Sequence, residues 1–298
     1  MWTPPVLDIA RLEAGDMPGD QIRIDESHVK RANTVFPLVL GRLVTVENSR
    51  LIISVYGGSG VGKSEIGSIL SSYCRDAGCP AYLMSGDNYP HRYPAQNEDE
   101  RLNTYRSFGL AAISADSGFE DSWIEDIQAH WEDMSDSDPS LAKDHKGFSL
   151  YQNAGRRALT DYLGSEREIN FNLVNSIIDK FKSGSERIPL KRMGRTRNEV
   201  YFEVVDFSGI HVLILEWTHG NSPYLHGIDI PIFLYSSPEE TLEHRRSRGR
   251  DANVDSAFTR LVLDIEQGKL SEQASKSALV VGKDGTPIPP GRFPGERA

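Results

Sequence analysis

The sequence has few cysteines and no long hydrophobic run. Among its 298 residues are only two cysteines, Cys74 and Cys79, which are too few for a disulfide framework or a structural zinc site, and we interpret both as reduced thiols. No apolar run approaches the roughly 20 residues that a membrane-spanning helix needs, and no basic stretch leads into a hydrophobic one near residue 1. We therefore expect neither secretion nor membrane insertion, and we expect the protein in the cytoplasm.

The chain also lacks the positive charge that is typical of nucleic-acid-binding proteins. It has 33 lysines and arginines against 43 acidic residues, a formal net charge of −10, so we expect no nucleic-acid partner. The charge is unevenly distributed: residues 245–250 include four arginines, whereas residues 116–138 include nine acids and no lysine or arginine. Such clustering is compatible with a small anionic ligand bound at a basic segment.

A glycine-rich segment carries the strongest functional signal. Residues 57–64, GGSGVGKS, fit the pattern GxxxxGK[ST], follow the apolar run Leu51–Tyr56 and precede the helical pattern Ser64–Ala77. In this context backbone amides and the helix N-terminus bind phosphate, Lys63 bridges the β- and γ-phosphates, and the Ser64 hydroxyl binds Mg²⁺. A purely structural glycine turn is the alternative. The predicted ATP-binding residues of this loop are Gly57, Gly58, Ser59, Gly60, Val61, Gly62, Lys63 and Ser64.

Two acidic residues follow predicted strands. Asp87 comes after the strand Ala81–Met84, and Glu216 ends the strand His211–Leu215. Ligands of open α/β sheets bind at the carboxyl ends of the strands. We therefore interpret Asp87 as a general base for a hydroxyl group, or a holder of a Mg²⁺-bound water, and Glu216 as a ligand of Mg²⁺ through water. The alternatives are a turn cap with Asn88 for Asp87 and a solvent-facing position for Glu216.

Basic residues form two further groups of candidates. Arginines in the segment EHRRSRGRD at 243–251 could close over a transferred phosphate as a lid, with a solvated charged helix as the alternative. Its candidates are Arg245 for ATP binding and Arg248 and Arg250 for catalysis. Other side chains could contact the acceptor, and basic ones among them could anchor an acidic group, with a solvated surface role as their alternative. These candidates are Tyr89, His91, Arg92, Arg101, Arg106, Arg192 and His219.

The order of the patterns predicts an α/β protein. A strand, a loop, a helix and a second strand form a βαβ unit, which implies a parallel sheet. We expect a three-layer P-loop NTPase fold with a mainly parallel sheet and a helical, arginine-bearing lid. We divide the chain into an extension at 1–50 packed on the core, a kinase domain at 51–285 with an acidic insertion at about 112–150, and a flexible tail at 286–298.

These motifs resemble the uridine kinase and phosphoribulokinase family of P-loop kinases, over roughly residues 51–282. The likeness rests on GGSGVGKS, SGDNY, LILEWTHG and RRSRGRD. It implies that Asp87 is the catalytic base, that Glu216 organises Mg²⁺, and that Arg245, Arg248 and Arg250 lie in the lid. It further implies ATP- and Mg²⁺-dependent transfer to a hydroxyl of a nucleoside, sugar, sugar phosphate or related alcohol. Trp217 departs from the pattern, because the family usually has glycine there.

Two other readings stay open. Gly86-Asp87-Asn88, with His91 and Arg92, is similar to a segment of adenylylsulfate kinases, which would change the acceptor. Asp206 begins a DxxG motif like that of GTP-binding switch proteins, although a guanine-reading N/TKxD motif is absent. The oligomeric state is open, a homodimer included.

Overall fold

The computed structural model describes residues 2–45, 50–237, 240–242 and 256–289. Its strands are β1 (Leu51–Tyr56), β2 (Ala81–Ser85), β3 (Arg187–Met193), β4 (Val200–Asp206), β5 (Val212–Trp217), β6 (Ile230–Leu234) and β7 (Leu279–Val281). Its α-helices are α1 (Glu26–Thr45), α2 (Lys63–Asp76), α3 (Pro94–Ser114), α4 (Ser122–Gln128), α5 (Lys146–Tyr162), α6 (Phe171–Lys182) and α7 (Ala257–Gln273).

Five parallel strands form the central sheet, in the order β2-β5-β1-β6-β7. Every residue of β1 and of β5 is buried, as expected for parallel strands covered on both faces. The predicted fold class is confirmed: the protein is an α/β protein with a mainly parallel sheet between two helical layers.

Two hydrophobic clusters cover the faces of this sheet. On one face α1 and α2 pack together, and Val35, Phe36 and Ile69 contribute to a core with alternate residues of β1 and β5. On the other face α6 contributes Ile178 and Phe181 to a second core. The amino-terminal residues through Thr45 thus share a core with the sheet, and the division of the chain into extension, domain and tail stays a prediction.

Helices α3, α4 and α5 form a side module with a hydrophobic cluster of its own. Tyr105, Trp123 and Tyr151 are buried in it, together with Phe258 and Ile265 of α7. The predicted acidic insertion at 112–150 lies within this module, where it contains α4 and the start of α5. The acidic residues of the segment are thus accommodated by a packed helical unit.

The strands β3 and β4 form a separate antiparallel hairpin. Ile188 and Leu190 of β3 are buried in the same core as α6, whereas Tyr201, Phe202 and Val204 of β4 are exposed. Among the residues that the structure describes, no helix combines the length and the apolar character needed to cross a bilayer.

Candidate active site

The glycine-rich loop connects the carboxyl end of β1 to α2. Gly57 approaches β6 so closely that an added Cβ would lie 2.5 Å from the carbonyl oxygen of Leu234. Gly62 is the N-cap of α2 and has φ of +94°, a left-handed conformation that favours glycine. Lys63 Nζ donates a hydrogen bond of 3.0 Å to the carbonyl oxygen of Gly58, so the ammonium group lies against the loop itself. Close packing at Gly57 and the left-handed backbone at Gly62 therefore both favour glycine in this loop.

Glu216 lies beside this loop because β5 runs between β1 and β2. It pairs in register with Val55 on one side and Ser85 on the other. Its carboxylate is buried and accepts hydrogen bonds from Ser64 Oγ (3.2 Å to Oε2) and Ser85 Oγ (2.5 Å to Oε1). Strand pairing thus brings together the two residues that the sequence assigns to Mg²⁺, Ser64 and Glu216.

The electrostatics of Glu216 also fit a cation. Burial, and secondarily the charge of Asp87, raise the pKa of Glu216 to about 8, and Lys63 opposes this shift. Mg²⁺ is usually held by one or two carboxylates, with phosphate oxygens and water completing its shell. In the described parts of the chain no group of three or more His, Cys, Asp or Glu side chains could hold a metal. Ser64 and Glu216 therefore fit Mg²⁺ that arrives with a nucleotide.

Asp87 lies in a short 3-10 turn, Gly86–Asn88, directly after β2. Its side chain is exposed, whereas its neighbours Gly86 and Asn88 are buried. Trp217 packs against Gly86 so closely that a Cβ at this position would overlap the indole ring. The tryptophan that departs from the family pattern therefore shapes the turn that carries Asp87.

Asp16, which no sequence pattern singled out, hydrogen-bonds the turn that carries Asp87 from the segment before α1. Asp16 Oδ1 accepts hydrogen bonds from the backbone nitrogen of Ser85 (2.7 Å) and from Asn88 Nδ2 (3.0 Å). Its Oδ2 accepts from Tyr82 (3.0 Å) and from Arg192 Nη1 (2.8 Å). Arg192 is consequently buried behind the turn and paired, which differs from the predicted direct contact with the acceptor.

A second polar cluster lies where the side module meets the loop. Glu168 accepts hydrogen bonds from Arg101 Nε (2.6 Å) and from the backbone of Gly164 (2.6 Å), and a second nitrogen of Arg101 lies 3.7 Å from Glu266. Burial raises the pKa of Glu266. Burial also lowers the pKa of His219 to about 4, so this imidazole is neutral near pH 7. Charges at this edge of the site are therefore already paired.

Helix α7 brings Glu266 towards the phosphate loop. Glu266 and Gln267 line one cleft with Gly58 and Ser59 of the loop. The charges of Lys63 and Asp87 also act on Glu266. The sequence predicted a helix here but did not single out this glutamate.

The structure corrects the predicted roles of two acceptor candidates. The ring of Tyr89 is fully buried in the core under the sheet, where its hydroxyl donates to Met84 Sδ (3.5 Å). Arg106 forms a buried ion pair of 3.0 Å with Asp136 inside the side module. Both side chains complete cores, so neither can reach an acceptor in this conformation.

The remaining candidate site residues either contact polar groups of the protein itself or lie outside the described residues. His91 Nε2 hydrogen-bonds the carbonyl oxygen of Glu166 (3.0 Å), and Arg92 contacts the Tyr162 hydroxyl (3.2 Å) and Glu100 (3.5 Å). The lid candidates lie outside the described residues, and they are Arg245, Arg248 and Arg250.

Comparison with known proteins found one relative of high similarity. The chain is 39% identical over 238 residues to a bifunctional α-galactosidase/sucrose kinase of Mediterraneibacter gnavus, a match that covers 80% of this chain and 20% of the relative. The chain thus spans about a fifth of the length of the curated relative it matches. No family model matches the sequence.

The solved structures that the chain matches include kinases, at low identity and with TM-scores below 0.5. A candidate fructose transport system kinase from a Silicibacter species has 15% identity and a TM-score of 0.48, covering 83% of this chain and 94% of that one. A candidate uridine kinase from Bacillus stearothermophilus has 12% identity and a TM-score of 0.39, covering 85% and 97%. D-glycerate 3-kinase from Cryptococcus neoformans has 14% identity and a TM-score of 0.35, covering 87% and 73%.

The strand order, the glycine-rich loop and the acids at the strand ends define the class: the chain has a three-layer α/β fold of the P-loop kinase type. The relative from Mediterraneibacter gnavus has a small-molecule kinase in its name. The predicted resemblance to P-loop small-molecule kinases is thereby confirmed.

Proposed function

We propose that this chain is a kinase that transfers the γ-phosphate of ATP to a hydroxyl group of an uncharged sugar, with Mg²⁺ bound to the nucleotide. The observation that carries the proposal is the arrangement at one edge of the sheet. There the phosphate loop, the pair Ser64 and Glu216, and the exposed carboxylate of Asp87 lie at the carboxyl ends of three neighbouring parallel strands. A phosphoryl donor and a hydroxyl acceptor could meet there.

Each residue has a role that its position supports. The loop amides and Lys63 bind the phosphates. Ser64 and Glu216 would hold Mg²⁺, which would neutralise part of the phosphate charge. Asp87 orients the acceptor hydroxyl and takes its proton as the oxygen–phosphorus bond forms and the bond to the β-phosphate oxygen breaks, which releases ADP. Arg245, Arg248 and Arg250, which lie outside the described residues, stay candidates for binding the transferred phosphate through their charge.

The pairing of the basic residues supports an uncharged acceptor. Arg92, Arg101 and Arg192 each have a carboxylate partner within 3.7 Å, so none of them offers an uncompensated charge to an anion. The exposed carboxylate of Asp87 would repel an anionic acceptor, whereas a sugar hydroxyl can donate a hydrogen bond to it. Because the relative's name includes sucrose kinase, sucrose is the first acceptor to test.

The position of the DxxG motif argues against a GTP-binding switch. Asp206 ends β4 in the separate hairpin, and the next carbonyl oxygen, of Phe207, accepts a hydrogen bond of 3.0 Å from Arg50. Arg50 immediately precedes β1, whereas the phosphate loop follows it. The motif therefore lies at the opposite end of the strand from any bound phosphate. Adenylylsulfate, a strongly anionic acceptor, is disfavoured by the paired arginines.

A panel of acceptors tests the proposal. Purified protein receives MgATP together with sucrose, other neutral sugars, uridine, glycerate, a sugar phosphate or adenylylsulfate, and both ADP release and the phosphorylated product are measured. We expect ADP release that depends on a neutral sugar and on Mg²⁺. Lys63→Ala serves as the inactive control. Preference for an anionic acceptor, or turnover that no acceptor stimulates, would contradict the proposal.

A further inference from the structure

The amino-terminal segment contributes to the site in a way that the sequence did not suggest. Resting on the proposed function, we propose that Asp16 is a positioning residue for the catalytic base: it holds the turn Gly86–Asn88 so that Asp87 faces the acceptor. Asp16 precedes α1 and lies 69 positions before Ser85, to which it is hydrogen-bonded.

Asp16 forms hydrogen bonds with residues on both sides of Asp87 in the turn. One carboxylate oxygen accepts from the backbone of Ser85, two residues before Asp87, and from the side chain of Asn88, one residue after it. Asn88 in turn accepts a bond of 2.8 Å from the backbone nitrogen of Met193 in β3. The turn is therefore fixed to the amino-terminal segment and to the hairpin, while Asp87 itself stays exposed.

Asp16 is also held rigidly. Its side chain is 7% exposed, and its second oxygen accepts from Arg192, which is 5% exposed, and from Tyr82. Tyr82 itself accepts a bond of 2.9 Å from Arg192 Nη2. Four donors thus converge on one carboxylate. A buried ion pair of this kind contributes little net stability compared with apolar packing, whereas a fully bonded network fixes geometry.

The same segment contacts the nucleotide side of the site. Gly15 lies beside Glu216, since a Cβ added to it would be 3.8 Å from Oε1. A hydrogen bond of 2.6 Å from Ser68 Oγ in α2 to the carbonyl oxygen of Glu13 links the segment to this helix. The segment that carries Asp16 therefore connects the base turn to the helix that follows the phosphate loop.

The loss of Asp16 would change the kinetics differently if Asp16 only stabilised the fold than if it positioned Asp87. If Asp16 only anchors the segment, its loss lowers thermal stability and changes kcat little in the folded enzyme. If it positions Asp87, its loss lowers kcat with little effect on MgATP affinity, because the phosphate loop keeps its shape. Displacement of a reacting group by about 1 Å can cost about 100-fold in rate.

The test compares Asp16→Asn with Asp8→Asn, a matched change at an exposed aspartate of the same segment. An amide at 16 cannot accept from all four donors. We expect kcat to fall by about tenfold or more in Asp16→Asn, MgATP affinity to stay within about twofold, and Asp8→Asn to match the wild type. In the enzyme without substrates, deuterium exchange of the peptide spanning 84–90 should rise only in Asp16→Asn.

Two results would overturn the inference: unchanged kcat and exchange in Asp16→Asn, or a loss of kcat with an equal loss of MgATP affinity. If the wild-type chain phosphorylates no acceptor, the proposed function fails separately. The exchange measurement then decides alone whether Asp16 holds the turn.

A second variant covers the case in which Asp16→Asn does not fold. Tyr82→Phe removes one donor to Asp16 on the side away from the turn and keeps the ring packing against Phe207. We expect a smaller loss of kcat and a smaller rise in exchange, both in the same direction. A folded Tyr82→Phe enzyme with wild-type values for both would contradict the inference.

Discussion

Two carboxylates beside the phosphate loop have different environments and, in our proposal, different tasks. Glu216 is buried among hydroxyl groups and has a raised pKa, which suits a group that becomes charged when a cation arrives. Asp87 is exposed at the end of the neighbouring strand, where an acceptor hydroxyl could reach it. Two carboxylic acids in one active site commonly have different catalytic roles because their environments differ.

The role of Asp87 can be tested by a single change. Asp87→Asn keeps the size of the side chain but removes the proton acceptor, so we expect kcat to fall by about 10² to 10⁴-fold while MgATP still binds. Steady-state kinetics and calorimetric titration with MgATP measure the two effects. Asp144→Asn, at another exposed aspartate, is the control. A rate within a factor of about three of the wild type would show that Asp87 is not the base.

The lowered pKa of Glu168 leads to a prediction about how the free energy of unfolding depends on pH. Burial raises the pKa of its carboxyl group, but the charge of Arg101 and smaller contributions, such as the hydrogen bonds from Gly164 and Asn97, together bring the pKa below the ordinary 4.5. Such a group stabilises the fold above the pKa of the unfolded chain, and this contribution is lost as the pH falls through the folded pKa. Glu168→Gln leaves Arg101 without its main partner, which should cost about 3 kcal/mol at pH 7.

Urea unfolding at several pH values measures this effect. We expect the difference between wild type and Glu168→Gln to be largest above about pH 5 and to shrink towards pH 3. Glu166→Gln, an exposed neighbour, should behave as the wild type does. A difference that is constant across this range would mean that the charge of Glu168 is not what stabilises the fold.

At the scale of elements, local patterns predicted the sheet well and the side module poorly. The strands β1, β5 and β6 are short apolar runs with loops after them, and such runs are recognisable without knowledge of their neighbours. Helix α3 has no comparable signal, since only Asn97, Tyr105, Gly109 and Ile113 are buried along its 21 residues. Its apolar contacts come from α5 and α7, which lie far away in sequence.

The same reasoning explains which site residues could be predicted from the sequence. Lys63 and Ser64 lie just beyond the loop after β1, Asp87 follows β2, and Glu216 lies near the end of β5, so their meeting is a consequence of a parallel sheet. Asp16 reaches the site through a segment without a regular pattern. Its importance depends on the folded path of the chain.

Helix α1 supports the phosphate loop through a buried arginine. Arg31 Nη1 donates a hydrogen bond of 2.6 Å to the carbonyl oxygen of Val61, and burial lowers its pKa to about 10, which leaves it charged at neutral pH. In our proposal this donor holds the loop so that its amides face the phosphate. A charged hydrogen bond of this kind contributes about 1.5 to 3 kcal/mol.

Arg31→Met should therefore weaken MgATP binding by about tenfold, since it removes that hydrogen bond and keeps the length of the side chain. Calorimetric titration of the folded variant gives the dissociation constant. Lys30→Met removes a charge from an exposed neighbour and should leave affinity unchanged. Equal affinity in the wild type and in Arg31→Met would show that α1 does not support the nucleotide site.

At the scale of the whole molecule, the candidate site is the place where separately packed units meet. The sheet with its two cores supplies the phosphate loop and the acids. The side module and α7 supply Arg101 and Glu266, and the amino-terminal segment supplies Asp16. A nucleotide bound at this junction contacts elements from distant parts of the chain, so its binding energy should stabilise the whole fold.

Thermal unfolding tests this coupling directly. MgATP at about 100 times its dissociation constant should add about 2.7 kcal/mol to the free energy of unfolding, which corresponds to a rise in Tm of about 4 °C for a chain of this length. Lys63→Ala should unfold near the wild-type temperature without nucleotide, because the hydrogen bond of this side chain is to its own loop, and it should show little or no rise with MgATP. An equal rise in both proteins would mean that ATP binds away from the glycine-rich loop.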